Sequence, residues 1–395
     1  MPKNQEEKQW KKRHGRVRGR RLVAAAGVVM VGSGLAACSS GSSTAPAADV
    51  TANKCWATAT SVAQCGGMSA LVKAAKAEGH LNAIALPPDW ANYGSIMKGF
   101  ERKYGITIND ANPDGSSGEE LAAIKSERGT AKEPDVVDVG PSFALEGQKE
   151  GLFSPFRVPT WPEIPADQKS AGGYWWDDYG GYIAIGYNAK DFAKPPTSFA
   201  SLEKPEFKGS VCLDGNPESA GAAFAGVYAA ALANGGSLSN IEPGIAYFRI
   251  LAQKGNFVPT GASPSTIASG QCRVTIDWTY LEVQYQKALT GKVDWKVFVP
   301  SPGVYAAYYV QAISRYAPDP AAARLWETYL FSPAGQNGWL QGDADPVELS
   351  ALENDGQVDH AALAQLPPVN GTPQFPTQAE LNAAEQLILQ QWPSV

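Results

Sequence analysis

Histidine is nearly missing from this chain, with three residues in 395, at His14, His80 and His360. So few imidazoles leave little for a serine or cysteine triad, a proton relay or a histidine-rich metal site. His80 reads as a residue at a helix end. No Gly-x-Ser-x-Gly turn occurs to expose a nucleophile. The one Gly-Lys pair, Gly291-Lys292, is followed by Val and lacks the upstream glycine of a phosphate-cradling loop. The uncharged stretch from Leu22 to Leu35 falls short of the roughly 20 residues that a bilayer-spanning helix needs. Nothing repeats at a fixed period, which excludes a solenoid.

What is present begins with a basic N-terminus. The first 21 residues hold nine Lys or Arg and two Glu, and the apolar stretch that follows ends in small residues. That is the order of a signal peptide. Leu35-Ala36-Ala37-Cys38 resembles the bacterial lipobox, which implies that residues 1–37 are removed and that Cys38 carries a lipid anchor. Gly19-Arg20-Arg21-Leu22-Val23 also resembles a twin-arginine export signal, although basic leaders produce Arg-Arg pairs by chance. Residues 38–54, rich in Ser, Gly, Ala, Thr and Pro, cannot bury a core and read as a tether.

Taking nine basic and two acidic residues from totals of 33 and 39 leaves 24 against 37, a net charge of −13 on the mature chain. That balance argues against nucleic acid or anionic lipid as a binding partner and leaves a cationic ligand open. The remaining length suits two α/β domains. Four cysteines remain after Cys38, an even number that in an exported chain favours disulfides. Neighbours are paired, Cys55 with Cys65 and Cys212 with Cys272, loops worth roughly 3 and 4 kcal/mol in the chain-entropy model. Their spacings are not those of a zinc knuckle, and no metal or cofactor is expected.

Along the chain, strands are expected at 81–86, 105–108, 135–139, 182–187, 209–213, 274–277 and 297–300. Helices are expected at 69–78, 93–104, 119–128, 143–150 and 220–233. The β-α-β order at the start implies a parallel sheet. Asp319-Pro320 and Ser332-Pro333 each place a capping side chain before a proline at the first helical position. Thr377 and Glu380 form a capping box before a last helix that should dock on the body.

Several segments resemble the extracellular solute-binding proteins of bacterial ABC importers, in the group serving iron, polyamines, thiamine and aminophosphonates. The fullest match runs from Pro320-Ala321-Ala322-Ala323-Arg324 through Ser332-Pro333-Ala334-Gly335-Gln336. Pro195-Pro196-Thr197-Ser198-Phe199, Pro205-Glu206-Phe207-Lys208-Gly209 and Asp135-Val136-Val137-Asp138-Val139 add to it. The resemblance implies an α/β, two-domain, type II periplasmic-binding-protein fold with a ligand cleft between domains that close about a hinge. Domain 1 would take residues 55–185 and 305–395, and domain 2 residues 186–304. The hinges would lie near 185–189 and 300–305. It also implies a monomer, tethered by lipid to the outer face of the cytoplasmic membrane, that delivers a small molecule to an ABC permease and its ATPase.

In open α/β sheets ligands sit beyond the carboxyl ends of strands. Three such loops pair an acid with a large aromatic residue: Asp89-Trp90, Trp176-Asp177, and Asp277-Trp278 with Tyr280. Carboxylates and aromatic faces suit an organic cation, polyamine-like or thiamine-like. Each aromatic alone is equally well explained as core packing. Tyr93 and Ser142, in neighbouring post-strand segments, complete the expected ligand-binding set with Ser116, Ser117 and Tyr308. Ser116 and Ser117 open a helix whose free amides would take an anion such as an aminophosphonate, but N-capping explains them too. Tyr308-Tyr309 resembles the adjacent tyrosines that hold ferric iron in some relatives. A sugar ligand, a carboxylate hydrolase using Asp177 with Asp277, and an adhesin without a ligand also remain open.

Overall fold

The computed structural model describes residues 54–371 and 375–395, which fall within one compact unit. The expected leader, Cys38 and nearly all of the expected tether lie outside the described residues. The chain then builds a short parallel pair, β1 (His80–Ile84) and β2 (Thr107–Ala111), joined by the helix Tyr93–Tyr104. This is the expected β-α-β unit, with one shift. Gly105 does not open the second strand but ends the helix in the left-handed region at φ 70°, its amide bonded to Glu101 O.

The large sheet contains β3 (Val136–Val139), β4 (Phe153–Ser154), β5 (Trp176–Asn188), β6 (Val211–Leu213), β7 (Val274–Trp278), β8 (Trp295–Phe298), β9 (Ala306–Ser314) and β10 (Asp345–Pro346). Its central order is β3-β9-β5-β7-β6. The expected parallel arrangement does not extend to it: β3 with β9, β9 with β5, and β5 with β7 are antiparallel, and β6 with β7 is parallel. The β-α-β rule sets direction only for strands joined by a crossover helix. Here β9 enters the first lobe from the return passage and so runs opposite to β5.

β5 is the spine of the molecule. Trp176–Tyr182 pairs with β9 in the first lobe, and Ile183–Asn188 pairs with β7 and β8 in the second. The return passage after β8 crosses beside it, where Ile183 N donates to Tyr305 O at 2.9 Å. Covering the second lobe are the alanine-rich helix Gly221–Ala233, with ten buried residues, and a helix at Glu242–Lys254 that the expected elements omit. Among the described residues no helix is long and apolar enough to cross a membrane.

Both disulfides form as expected, with Cα atoms 5.9 Å apart for Cys55–Cys65 and 5.6 Å for Cys212–Cys272. The second ties β6 to the approach to β7 within one lobe. One expected cap is replaced. Asp319 does not cap the helix Pro320–Leu330; the carboxylate of Glu78 accepts from Ala321 N at 3.2 Å and Ala322 N at 2.7 Å. The Asp319 side chain is drawn away by His80, 3.1 Å distant. Ser332 does cap its helix, and Thr377 and Glu380 form their capping box. The last helix, Gln378–Gln391, buries Leu381, Ala384 and Ile388, and Trp392 packs edge-on against Phe248 at 5.5 Å.

Candidate functional site

Strand ends from both lobes meet around a cavity of about 500 Å³. From the first lobe, β1 leads into Asp89 and Trp90, β3 supplies Asp138, and the helix Ser117–Ser126 supplies Glu120. From the second, β6 runs into Asp214, and the helix Thr279–Ala288 presents Tyr285. Tyr309, on the return strand β9, lies between them.

The charge of this lining has one sign. Asp89, Asp114, Glu120, Asp138 and Asp214 are its ionisable carboxyl groups, and no Lys, Arg or His is among the lining residues. Asp138 Oδ2 accepts from the Tyr93 hydroxyl at 2.6 Å and the Tyr179 hydroxyl at 2.9 Å. Its Oδ1 is buried without a partner. Burial pushes the Asp138 carboxyl up to about 7 against the pull of the two tyrosine hydrogen bonds. Burial, and then the charge of Asp138, pushes Glu120 well above the carboxylate range. Asp214 is raised to about 7 by desolvation. Burial thus favours the neutral form of Asp138, Glu120 and Asp214 beyond that of a free carboxyl, and a positive charge placed among them would favour the ionised form.

An aromatic wall closes the inner side. The Trp90 ring meets Tyr280 edge-on at 6.0 Å and Tyr309 at 5.6 Å, and Trp90 Nε1 donates to the Tyr179 hydroxyl at 2.7 Å. Tyr179 stacks on Tyr309 at 5.8 Å with 5° between planes. Trp278 stacks on Tyr280 at 6.2 Å, behind the cavity surface. The wall therefore joins Trp90, Tyr179 and Tyr309 of one lobe to Trp278 and Tyr280 of the other.

The lobes touch at one edge of the cavity. Gly118 N donates to Ser219 O at 3.3 Å across the gap. Gly140, which precedes the helix Pro141–Lys149, meets Gly221 so closely that a Cβ on Gly221 would stand 3.2 Å from both Gly140 Cα and the Tyr309 hydroxyl. A side chain at either glycine would wedge the lobes apart.

Of the residues expected from sequence, Asp89, Trp90, Ser116 and Ser117 line this cavity. Ser116 is engaged in a capping box with Glu119, and the Ser117 hydroxyl accepts from Gly140 N at 3.0 Å, so capping and loop bracing account for both serines. Tyr93, Asp277, Trp278 and Tyr280 are buried one layer behind the lining. Asp277 accepts from Trp278 N at 2.7 Å and from the Tyr285 hydroxyl at 3.0 Å, which fixes Tyr285 in the cavity wall. Trp176 lies in the core against Trp161 at 5.8 Å. Ser142 is buried in the first turn of its helix. Asp177 and Tyr308 line a different cavity.

Glu120, Asp138, Asp214, Tyr285 and Tyr309 join the site without belonging to the expected set. Asp138 and Asp214 carry a usable signal, since each lies at the carboxyl end of a short buried strand. Glu120 is masked by its place in a helix's first turn, where acids ordinarily serve the dipole. Tyr308 and Tyr309 face opposite sides of β9, as consecutive strand residues must, so the two hydroxyls do not converge on one ion. Among the described residues no group of three or more His, Cys, Asp or Glu side chains is placed to hold a metal.

Two lobes bridged by β5 and the return passage beside it, with a cavity between strand ends, define a solute-binding architecture. The family of bacterial extracellular solute-binding proteins matches residues 131–366, more than half of the chain, and the chain belongs to that family. That family's description gives it an extracellular, solute-binding role. Solved structures share the fold at low identity. The periplasmic binding protein AfuA from Actinobacillus pleuropneumoniae, with fructose-6-phosphate bound, is 18% identical over 79% of this chain and 96% of its own, TM-score 0.61. Iron-bound HitA from Pseudomonas aeruginosa is 17% identical over 80% and 99%, TM-score 0.58. A spermidine/putrescine ABC transporter protein from Listeria monocytogenes, so assigned provisionally, is 15% identical over 80% and 99%, TM-score 0.55. No curated protein sequence matches the chain.

Proposed function

We propose that the cleft binds a small organic cation, an amine of polyamine-like or thiamine-like class, and that the protein hands it to an ABC permease from a lipid anchor at Cys38. The observation that carries the reading is the lining: five carboxyl side chains, no basic one, and the faces of Trp90 and Tyr309. A positive charge among these groups offsets the burial that raises Asp138 and Glu120, and a desolvated cation–π contact adds up to ~2 kcal/mol. A cavity of about 500 Å³ suits a ligand of that size. An anionic ligand would face the carboxylates directly, and the serines that would receive it are already hydrogen-bonded.

The test is a thermal-shift and calorimetric screen against putrescine, spermidine, thiamine, an aminophosphonate, ferric citrate and fructose-6-phosphate. A ligand at 100 times its dissociation constant stabilises by ~2.7 kcal/mol, enough to read clearly. Shifts confined to amines uphold the cation cleft; shifts with phosphates or sugars alone refute it. Cys38→Ser should release the protein from the membrane fraction; continued membrane retention counts against the anchor.

A further inference from the structure

The sheet has a second face, and it carries a second cavity, of about 430 Å³. It lies between the helix Pro141–Lys149, residues 167–172 and the start of the last helix. Trp175, Asp177, Tyr308 and Phe375 are in its wall. The Tyr308 and Phe375 rings lie 5.9 Å apart, inclined by 39°. Because Tyr308 and Tyr309 face opposite sides of β9, this space is separate from the cleft.

Its polar groups are unspent. Asp177 is only 9% exposed, and among the described residues no side chain or amide donates a hydrogen bond to its carboxylate. The Trp175 indole N–H in the same wall is buried without an acceptor. Lys169 is the one basic residue in the lining, but its ammonium donates to Trp161 O and Ile164 O, and so leaves Asp177 uncompensated. Burial, with the charge of Asp167, holds the Asp177 carboxyl well above the usual range. A buried polar group without a partner destabilises a fold by roughly 1–3 kcal/mol, so a purely structural role leaves the Trp175 N–H unexplained, and the Asp177 carboxyl opens to the cavity.

We propose that this cavity is a second small-molecule site, for an amine with a flat aromatic body, its ammonium held by Asp177 and its ring packed on Tyr308 and Phe375. The volume is within the range of small-molecule pockets, and the combination of one buried acid with three aromatic side chains selects an amphipathic monocation over a long polyamine.

The probe is phenethylamine, titrated calorimetrically into the full chain in detergent and into Asp138→Asn, which weakens the cleft. The expected result is a phenethylamine site that persists in Asp138→Asn, is weakened more than tenfold by Asp177→Asn, and is weakened severalfold by Phe375→Ala at an exposed position. Asp177→Asn should unfold at the same or a higher temperature than the parent. No phenethylamine binding, binding indifferent to Asp177→Asn and Phe375→Ala, or binding abolished by Asp138→Asn alone overturns the proposal. If the Asp177-dependent site is present while Asp138→Asn leaves amine binding in the cleft unchanged, the cleft reading fails and this one stands.

Discussion

Glu120 accepts the amide hydrogen of Asp138 at 2.9 Å, which sets two carboxyl groups side by side on the floor of the cleft. The pair makes the ligand-free protein sensitive to pH. Asp138 and Asp214 hold their protons to about 7 in the folded state, against 3.8 for a free aspartate. Between those values the native state binds more protons than the unfolded chain, so the stability these groups contribute is complete below about 4 and is lost as pH rises toward 7. Glu78, Glu282 and Glu348 are shifted in the same direction. The melting temperature without ligand should therefore fall from pH 5 to pH 8, and amine affinity should rise over the same range because the ligand displaces protons. A flat amine affinity between pH 5.5 and 8 would remove Asp138 and Asp214 from the binding equilibrium.

Asp138→Asn keeps an oxygen for the hydroxyls of Tyr93 and Tyr179 and removes the charge. Amine affinity should drop more than tenfold, about 1.4 kcal/mol, while the ligand-free melting temperature holds or rises. A stability loss with unchanged affinity would make the carboxylate a packing element only.

The two lobes meet where Gly140 packs on Gly221, a contact that closure of the cleft would require. Gly221→Val has room in neither direction, since its Cβ would already stand 3.2 Å from Gly140 Cα. We expect small-angle scattering to show that ligand no longer contracts the variant and calorimetry to show at least tenfold weaker binding, with near-normal stability. A variant that still contracts would place closure elsewhere.

Removing Cys212–Cys272 as a double serine variant should destabilise by about 4 kcal/mol, the chain-entropy value for a loop of 60 residues. Because both ends lie in the second lobe, ligand affinity measured below the melting transition should change little. A large affinity loss would show that the bridge shapes the cleft.

Trp278 marks the boundary between what pattern and packing can tell. By pattern, Asp277-Trp278 is a binding loop, because acid and aromatic follow a strand. The structure puts Trp278 1% exposed, stacked on Tyr280 behind Trp90. Trp278→Ala would act through the wall, by a cavity costing roughly 3–5 kcal/mol. Asp138 shows the converse: by pattern it is one residue of a buried strand, and in the fold it faces the cleft.

The linear chain determined what local chemistry can determine. Thr377 and Glu380 make a capping box, Cys55 pairs with Cys65 and Cys212 with Cys272, and the alternation of elements marks an α/β chain. The tertiary structure alone decided which lobe edge each side chain faces. Tyr308 and Tyr309 differ by one position and enter different cavities, and residues from 85 to 309 meet in one cleft. Periodicity records that a face is buried. What covers it is settled by contacts between segments far apart in sequence, and those form only when β9 pairs with β5.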